Sequence, residues 1–334
     1  MARFPAAWAL PLMLLFAPAP VLAESAECRM DPADGVWLAG ALAQWRTTQQ
    51  SQLRFADVRM PAVYAIDAGC TWRVTGGDVA GAEGSPHPAG RAALPSVGEV
   101  PLGPIAFAFA ADGFAMSLPS VWRAAGVTSA LGLERLMTGV LLHEIMHTRQ
   151  SAMVEQVAEP AAKAHGIGEE LSDDLLQERF AGRPGYARAY AAERDALFAA
   201  AAAPDDAAAR GLAAHALHLM RARRARFLAG PNAHFAVFDD VFLTMEGAGQ
   251  WLIYGYFRSP EGGSASPSEA LAATRRGKTQ WSQDEGLALM LVLDRLLPDW
   301  RARAFRSPDW LAENLLAAAV EAAPAPSVSE LETP

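Results

Sequence analysis

The sequence predicts an α+β fold that is predominantly helical, with one small antiparallel sheet near the N-terminal end. Three observations lead there. Short alternating stretches, "PAVYAID", "CTWRV" and "IAFAFA-ADG-FAMSLP", all fall before residue 120 and read as strands. From about Leu131 onward, apolar residues recur at helical spacing with few interruptions. The 334 residues are 51% hydrophobic and 19% charged, a globular composition with enough chain for one large domain or two modest ones.

The chain opens with "MARFPAAWALPLMLLFAPAPVLA", in which one positive charge at Arg3 precedes an apolar centre and small residues sit at Val21 and Ala23. That is the pattern of a secretory leader ending at residue 23. Pro11, Pro18 and Pro20 break the apolar run and argue against a permanent membrane helix. Glu27 before Cys28 argues against a lipid anchor, and no later segment reads as a transmembrane span. The mature protein is therefore expected to be periplasmic or secreted. In an oxidising compartment the only two cysteines, Cys28 and Cys70, are expected to pair.

Residues 24–120 form the N-terminal part. Trp37, Leu38, Leu42 and Trp45 share one helix face, two strands follow, residues 76–104 read as a long loop, and an Asp-Gly turn closes a hairpin over 105–119. Residues 121–322 form the helical region. A single long helix is expected from about Leu131 to Val157, with a stripe of Leu133, Leu136, Met137, Val140 and Leu141. Further helices follow over 168–229, over 237–257, and over 282–297, where Ser282 and Glu285 suggest a capping box. The Pro/Ser/Glu-rich tail, 323–334, reads as disordered.

The formal net charge of -9 argues against nucleic acid as a partner. The run Arg221, Arg223, Arg224 and Arg226 reads as a solvated or ion-paired helix face.

Chemistry concentrates in "LLHEIMHTRQ". Residues four apart on a helix lie one turn apart on one face, so His143 and His147 can share one ion. Glu144 is rotated off the pair, within reach of a water on that ion. This is the H-E-x-x-H arrangement.

With these residues the chain resembles the zincin metallopeptidases, in their gluzincin branch. The resemblance rests on residues 114–150 and about 237–257. It implies a zincin-like catalytic domain, a Zn2+ cofactor held by His143, His147 and a glutamate on a later helix, Glu144 as the catalytic base, and a peptide or protein substrate. In "MEGAGQW" Glu246 takes the ligand position, with Gly249 where alanine is more usual and Gln250 where some members carry an aspartate. Gly247 and Gly249 would let this helix approach the histidine helix closely. Glu193 and Glu169 are rival third ligands, Glu193 being equally suited to an arginine of "RARRARF" and Glu169 having Asp173 four residues on. Asp239 and Asp240 are candidates for orienting a ligand. Tyr254, Tyr256 and His234 are candidate oxyanion donors, and the strand "FAMSLP" a candidate edge for an extended peptide. His165, His215 and His218 have no partner at ligand spacing. The expected function is that of an exported zinc metallopeptidase. The alternatives are a zinc-binding protein with a binding or envelope role, and a zinc hydrolase of non-peptide amides or esters.

Overall fold

Within the residues that the computed structural model describes (28–87, 90–109, 113–168, 171–276 and 279–322), the chain begins with helix α1, Pro32–Ser51. Asp31 caps it, accepting from Ala33 N at 2.7 Å, and Pro32 occupies the first turn, where a missing N–H costs nothing. The expected leader, 1–23, and tail, 323–334, lie outside the described residues. By internal packing the chain forms two compact units, Met1–Ser151 with Leu252–Thr274, and Ala152–Trp251 with Arg275–Pro334.

The first unit is built on a sheet. Strands β1 (Ala62–Ile66) and β2 (Cys70–Val74) stand where the alternation placed them, followed by β3 (Glu83–Pro86), β4 (Arg91–Leu94), β5 (Gly98–Pro101), β6 (Ala106–Phe109) and β7 (Gly113–Ser117). The stretch expected as loop thus holds three short strands. Strand β3 takes its partner from outside the segment, adding to β2, while β4 and β5 pair with each other in a separate ribbon whose Ala92, Leu94 and Val100 pack on Ile66, Phe107, Phe109 and Ala115. The main sheet runs β3-β2-β1-β7-β6.

Two expectations change here. The sheet is mixed rather than antiparallel, because β7 returns parallel to β1, in register from Ala62↔Gly113 to Ile66↔Ser117. A parallel neighbour needs a long crossover, and the intervening strands supply it. Strand β7 also lies inside the sheet, between β1 and β6, with all five residues buried, so the expected peptide-binding edge is not there. The outer strand on that side is β6, antiparallel to β7 as the hairpin required. Turn residues 110–112 are outside the described residues.

Cys28 and Cys70 are bonded, as their number and the expected compartment implied. Gly84 permits the close packing around them: a Cβ there would sit 2.6 Å from the Cys28 Cβ and 2.7 Å from the Trp72 ring. Helix α2 (Pro119–Ala124) starts on the buried carboxylate of Asp34, which accepts from Ser120 N at 3.1 Å and Ser120 Oγ at 2.5 Å. Helix α3, Leu133–Met146, follows and carries the histidine motif.

After a turn at His147–Arg149 the chain continues as α4 (Ser151–Met153), a π-helical turn (Val154–Ala158) and α5 (Glu159–His165). Pro160 accounts for the π turn, since its ring clashes with the carbonyl four residues earlier. Then come α6 (Leu175–Phe180), α7 (Tyr186–Ala201), α8 (Asp206–Phe227), α9 (Phe235–Arg258), α10 (Pro267–Thr274), α11 (Trp281–Leu296), α12 (Trp300–Ala304) and α13 (Ala312–Glu321). Residues 241–253 of α9 are buried on every face, and with the apolar side chains they carry Thr244, Glu246 and Gln250 into the interior. None of the helices among the described residues is long and apolar enough to cross a membrane.

An ionic network sits inside the second unit. Arg223 of α8, fully buried, donates Nε to Glu193 Oε2 (2.7 Å) and Nη2 to Glu193 Oε1 (3.2 Å) on α7. Its remaining donors go to Asp239 of α9 (2.8 and 3.2 Å) and to the Tyr186 hydroxyl (3.1 Å). Arg224 donates to Asp239, Asp240 and Glu313, each at 2.9 Å. Arg221, Arg223 and Arg224 of the run are therefore ion-paired, as one of its readings had it, but Arg223 and Arg224 lie in the interior instead of on a solvated face.

Glu285 adds a further carboxyl to this network. Sequence placed it in a capping box, but α11 begins with Gln280 as N-cap. Ser282 already lies in the first turn with its hydroxyl unpartnered among the described residues, and Glu285 points inward. Burial, then the neighbouring Glu193, pushes its pKa well above the usual carboxylate range. Protonated, it can donate to Glu193. The folded state then holds a proton that the unfolded chain releases near pH 4.3. This contribution is full below that value and declines as pH rises toward the folded pKa. Glu285→Gln keeps a donor and cannot ionise. Its stability relative to wild type is expected to rise as pH increases from about 5 toward the raised folded-state pKa, by up to ~1.4 kcal/mol per pH unit. Urea unfolding of both proteins across that range checks this, and parallel profiles would refute it. The comparison with wild type cancels other raised carboxyls, such as Asp174 at about 6.

Candidate metal centre

Met137, Leu141, Leu142, Ile145 and Met146 are buried along α3, and Gly139 lets the helix lie against Ile253 and Phe257. The helix stops earlier than the apolar pattern suggested. It ends at Met146; His147 is its C-cap, still α-helical in backbone (φ -58, ψ -25), and opens the 3-10 turn to Arg149. Tertiary anchors account for the break. Arg149 donates to Gln49 Oε1 (2.8 Å) and Asp57 Oδ1 (2.9 Å), and lies over the Phe55 ring at 4.3 Å. Gln150, at φ -111 and ψ 10, leaves the helical region.

Since His147 keeps helical dihedrals, the spacing of four still delivers both rings to one place. Their centroids are 4.9 Å apart with planes at 76°. One ligand atom from each of His143, Glu144 and His147 lies within 4.8 Å of the others, a group that could hold a metal ion. His143 and Glu144 are buried and His147 half-buried. The group sits at the C-terminal end of α3, where the helix dipole favours a cation. His147 Nδ1 is 2.7 Å from Gln150 Oε1, so that ring is held from behind.

In the second unit, Glu246 is buried on α9 and Glu246 Oε2 accepts from Gln283 Nε2 of α11 at 3.2 Å. Gln283 in turn accepts from Gln250, the residue standing where an aspartate is found in some gluzincins. Asp173 joins this group: burial first, then the nearby Glu246 and Asp174 charges, raise it well above the usual carboxylate range, against a hydrogen bond from Gln283. Gly247 does permit a close helix approach, to α11: a Cβ there would meet the Gly286 carbonyl oxygen at 2.5 Å.

The other sequence candidates have structural partners. Glu193, the rival third ligand, is ion-paired with Arg223, and Asp239 and Asp240 pair with the arginines of α8. Glu169 lies outside the described residues. The Tyr256 hydroxyl is hydrogen-bonded with Thr138, while Tyr254 OH accepts from Arg258 at 3.4 Å. His234 stacks face to face on His165, with centroids 4.2 Å apart and planes at 13°. Burial, then the His165 ring, lowers the pKa of His234. Sequence reasoning missed Gln150, three residues past His147 and so one turn on, which was legible. It also missed Asp173 and Gln283 as neighbours of Glu246; Gln283 arrives only when α11 packs on α9, and Asp173 only when the segment before α6 lies beside both.

Compared with family models, curated proteins and solved structures, the chain finds no match.

Proposed function

We propose that this protein is an exported zinc metallopeptidase of the gluzincin kind. The observation that carries the reading is the convergence of the His143, Glu144 and His147 side chains at the end of α3. Two imidazoles with a carboxylate beside them form a nitrogen and oxygen donor set that suits zinc. The disulfide is compatible with the oxidising compartment that the leader implies.

A zinc ion held by the two histidines would lower the pKa of a bound water to about 7 and polarise a substrate carbonyl. The chain's own part is proton handling. Glu144, one residue after His143, takes the proton of the attacking water on its carboxylate and returns it to the leaving nitrogen. His147 is kept in orientation by Gln150. Burial of His143 and Glu144 limits competing solvent, which strengthens each charge interaction at the site. An extended peptide would pair along β6, the outer strand.

The third ligand that the resemblance assigns is Glu246. Glu246→Ala is expected to weaken zinc binding strongly while Glu193→Ala leaves it intact, both read by chelator competition on purified protein. Zinc retained by Glu246→Ala and lost by Glu193→Ala would exchange their roles. A zinc-to-protein ratio near one, together with cleavage in a peptide library, tests the whole reading; metal-free protein that takes up no zinc would end it.

A further inference from the structure

We infer that Gln150 fixes the tautomer of His147, so that Nδ1 carries the proton and Nε2 presents its lone pair. Gln150 is held at both ends. Its backbone N donates to the His147 carbonyl at 2.9 Å, closing the 3-10 turn, and its side-chain Oε1 lies 2.7 Å from Nδ1 of the same residue. Gln150 as a whole residue is 1% exposed, so no water competes for Nδ1 from that side.

A primary amide can present either its oxygen or its nitrogen, and the two choices impose opposite tautomers. With Oε1 facing the ring, as here, Nδ1–H is the donor and Nε2 carries no proton. With the amide reversed, Nδ1 would accept, the ring proton would move to Nε2, and that atom could no longer bind a cation. The cost of the observed choice is visible: Gln150 Nε2 is buried with no hydrogen-bond partner among the described residues. An acceptor of this kind behind a metal-binding histidine sets both ring orientation and tautomer. Here it is a neutral amide, which orients the ring without adding a further negative charge beside Glu144. The consequence for metal binding rests on the metallopeptidase reading; the tautomer does not.

The test uses the full mature chain, 15N-labelled at histidine and freed of metal with chelator. Long-range 1H–15N spectra are recorded at about pH 8, above the ordinary imidazole pKa of about 6.5, and a His147→Asn variant assigns the signal. Wild type is expected to show a protonated Nδ1 and a bare Nε2. Gln150→Glu, whose ionised side chain can only accept, should keep that pattern. Gln150→Leu should lose it in favour of the Nε2–H form that free imidazole prefers, with zinc affinity down about 10–100-fold. A wild-type Nε2–H signal would overturn the inference, as would an unchanged tautomer in folded Gln150→Leu. Should Gln150→Leu fail to fold, wild type and Gln150→Glu still decide. If both hold the Nδ1–H form but no protein binds zinc, the role of Gln150 stands and the metallopeptidase reading falls.

Discussion

Glu144→Gln is expected to keep its metal and its fold while peptide hydrolysis drops by several orders of magnitude. The carboxylate has two duties in the proposed reaction, receiving a proton from water and delivering it to the leaving nitrogen. Removing one general base or acid costs about 10²–10⁴-fold, and here both are lost with a single residue. Glutamine preserves the size and the hydrogen-bonding reach of the side chain, so a fall in rate cannot be charged to a cavity or an unfilled pocket. His143→Ala should instead lose metal and activity together. Zinc content by mass spectrometry beside turnover of a cleaved peptide separates the two variants. A zinc-binding protein with an envelope role would behave differently: Glu144→Gln would complement a deletion strain as well as wild type, and that outcome would leave a metal site without a peptidase.

The second large effect concerns stability. Arg223→Ala is expected to destabilise the protein by about 3–5 kcal/mol or more, because it strands Glu193 and Asp239 in the interior without their counter-charge. All three residues are buried, and the arginine also holds the Tyr186 hydroxyl. An exposed helix-face pair would be worth about 1 kcal/mol or less, so the size of the change distinguishes the two situations. Urea unfolding near pH 7 measures it. Arg221→Ala is the control on the same helix: its partner Glu313 is part-exposed and its own side chain is 55% exposed. A loss for Arg223→Ala no larger than for Arg221→Ala would show that the buried network contributes little.

The closeness of His143, Glu144 and His147 was already settled by their spacing, because the period of a helix places such residues together whatever packs around them. The alternation of "PAVYAID", "CTWRV" and the hairpin strands likewise located β1, β2, β6 and β7, since the two-residue period and turn chemistry are local properties. A chain with two cysteines also leaves one intramolecular pairing, which is the one present. Tertiary structure decided everything that depends on which surfaces meet. Whether Glu193 was a ligand or an ion-pair partner turned on α7 packing against α8, where Arg223 waits. Glu285 reads as a capping residue along the chain and becomes a buried acid only because α11 starts earlier and turns it toward Glu193. Strand β7 lost its edge to a parallel pairing with a strand some fifty residues earlier, and no local pattern encodes such a pairing. The long helix was cut at Met146 because Arg149 and Gln150 find partners outside it or off its axis, and those contacts outweigh the continuing apolar stripe.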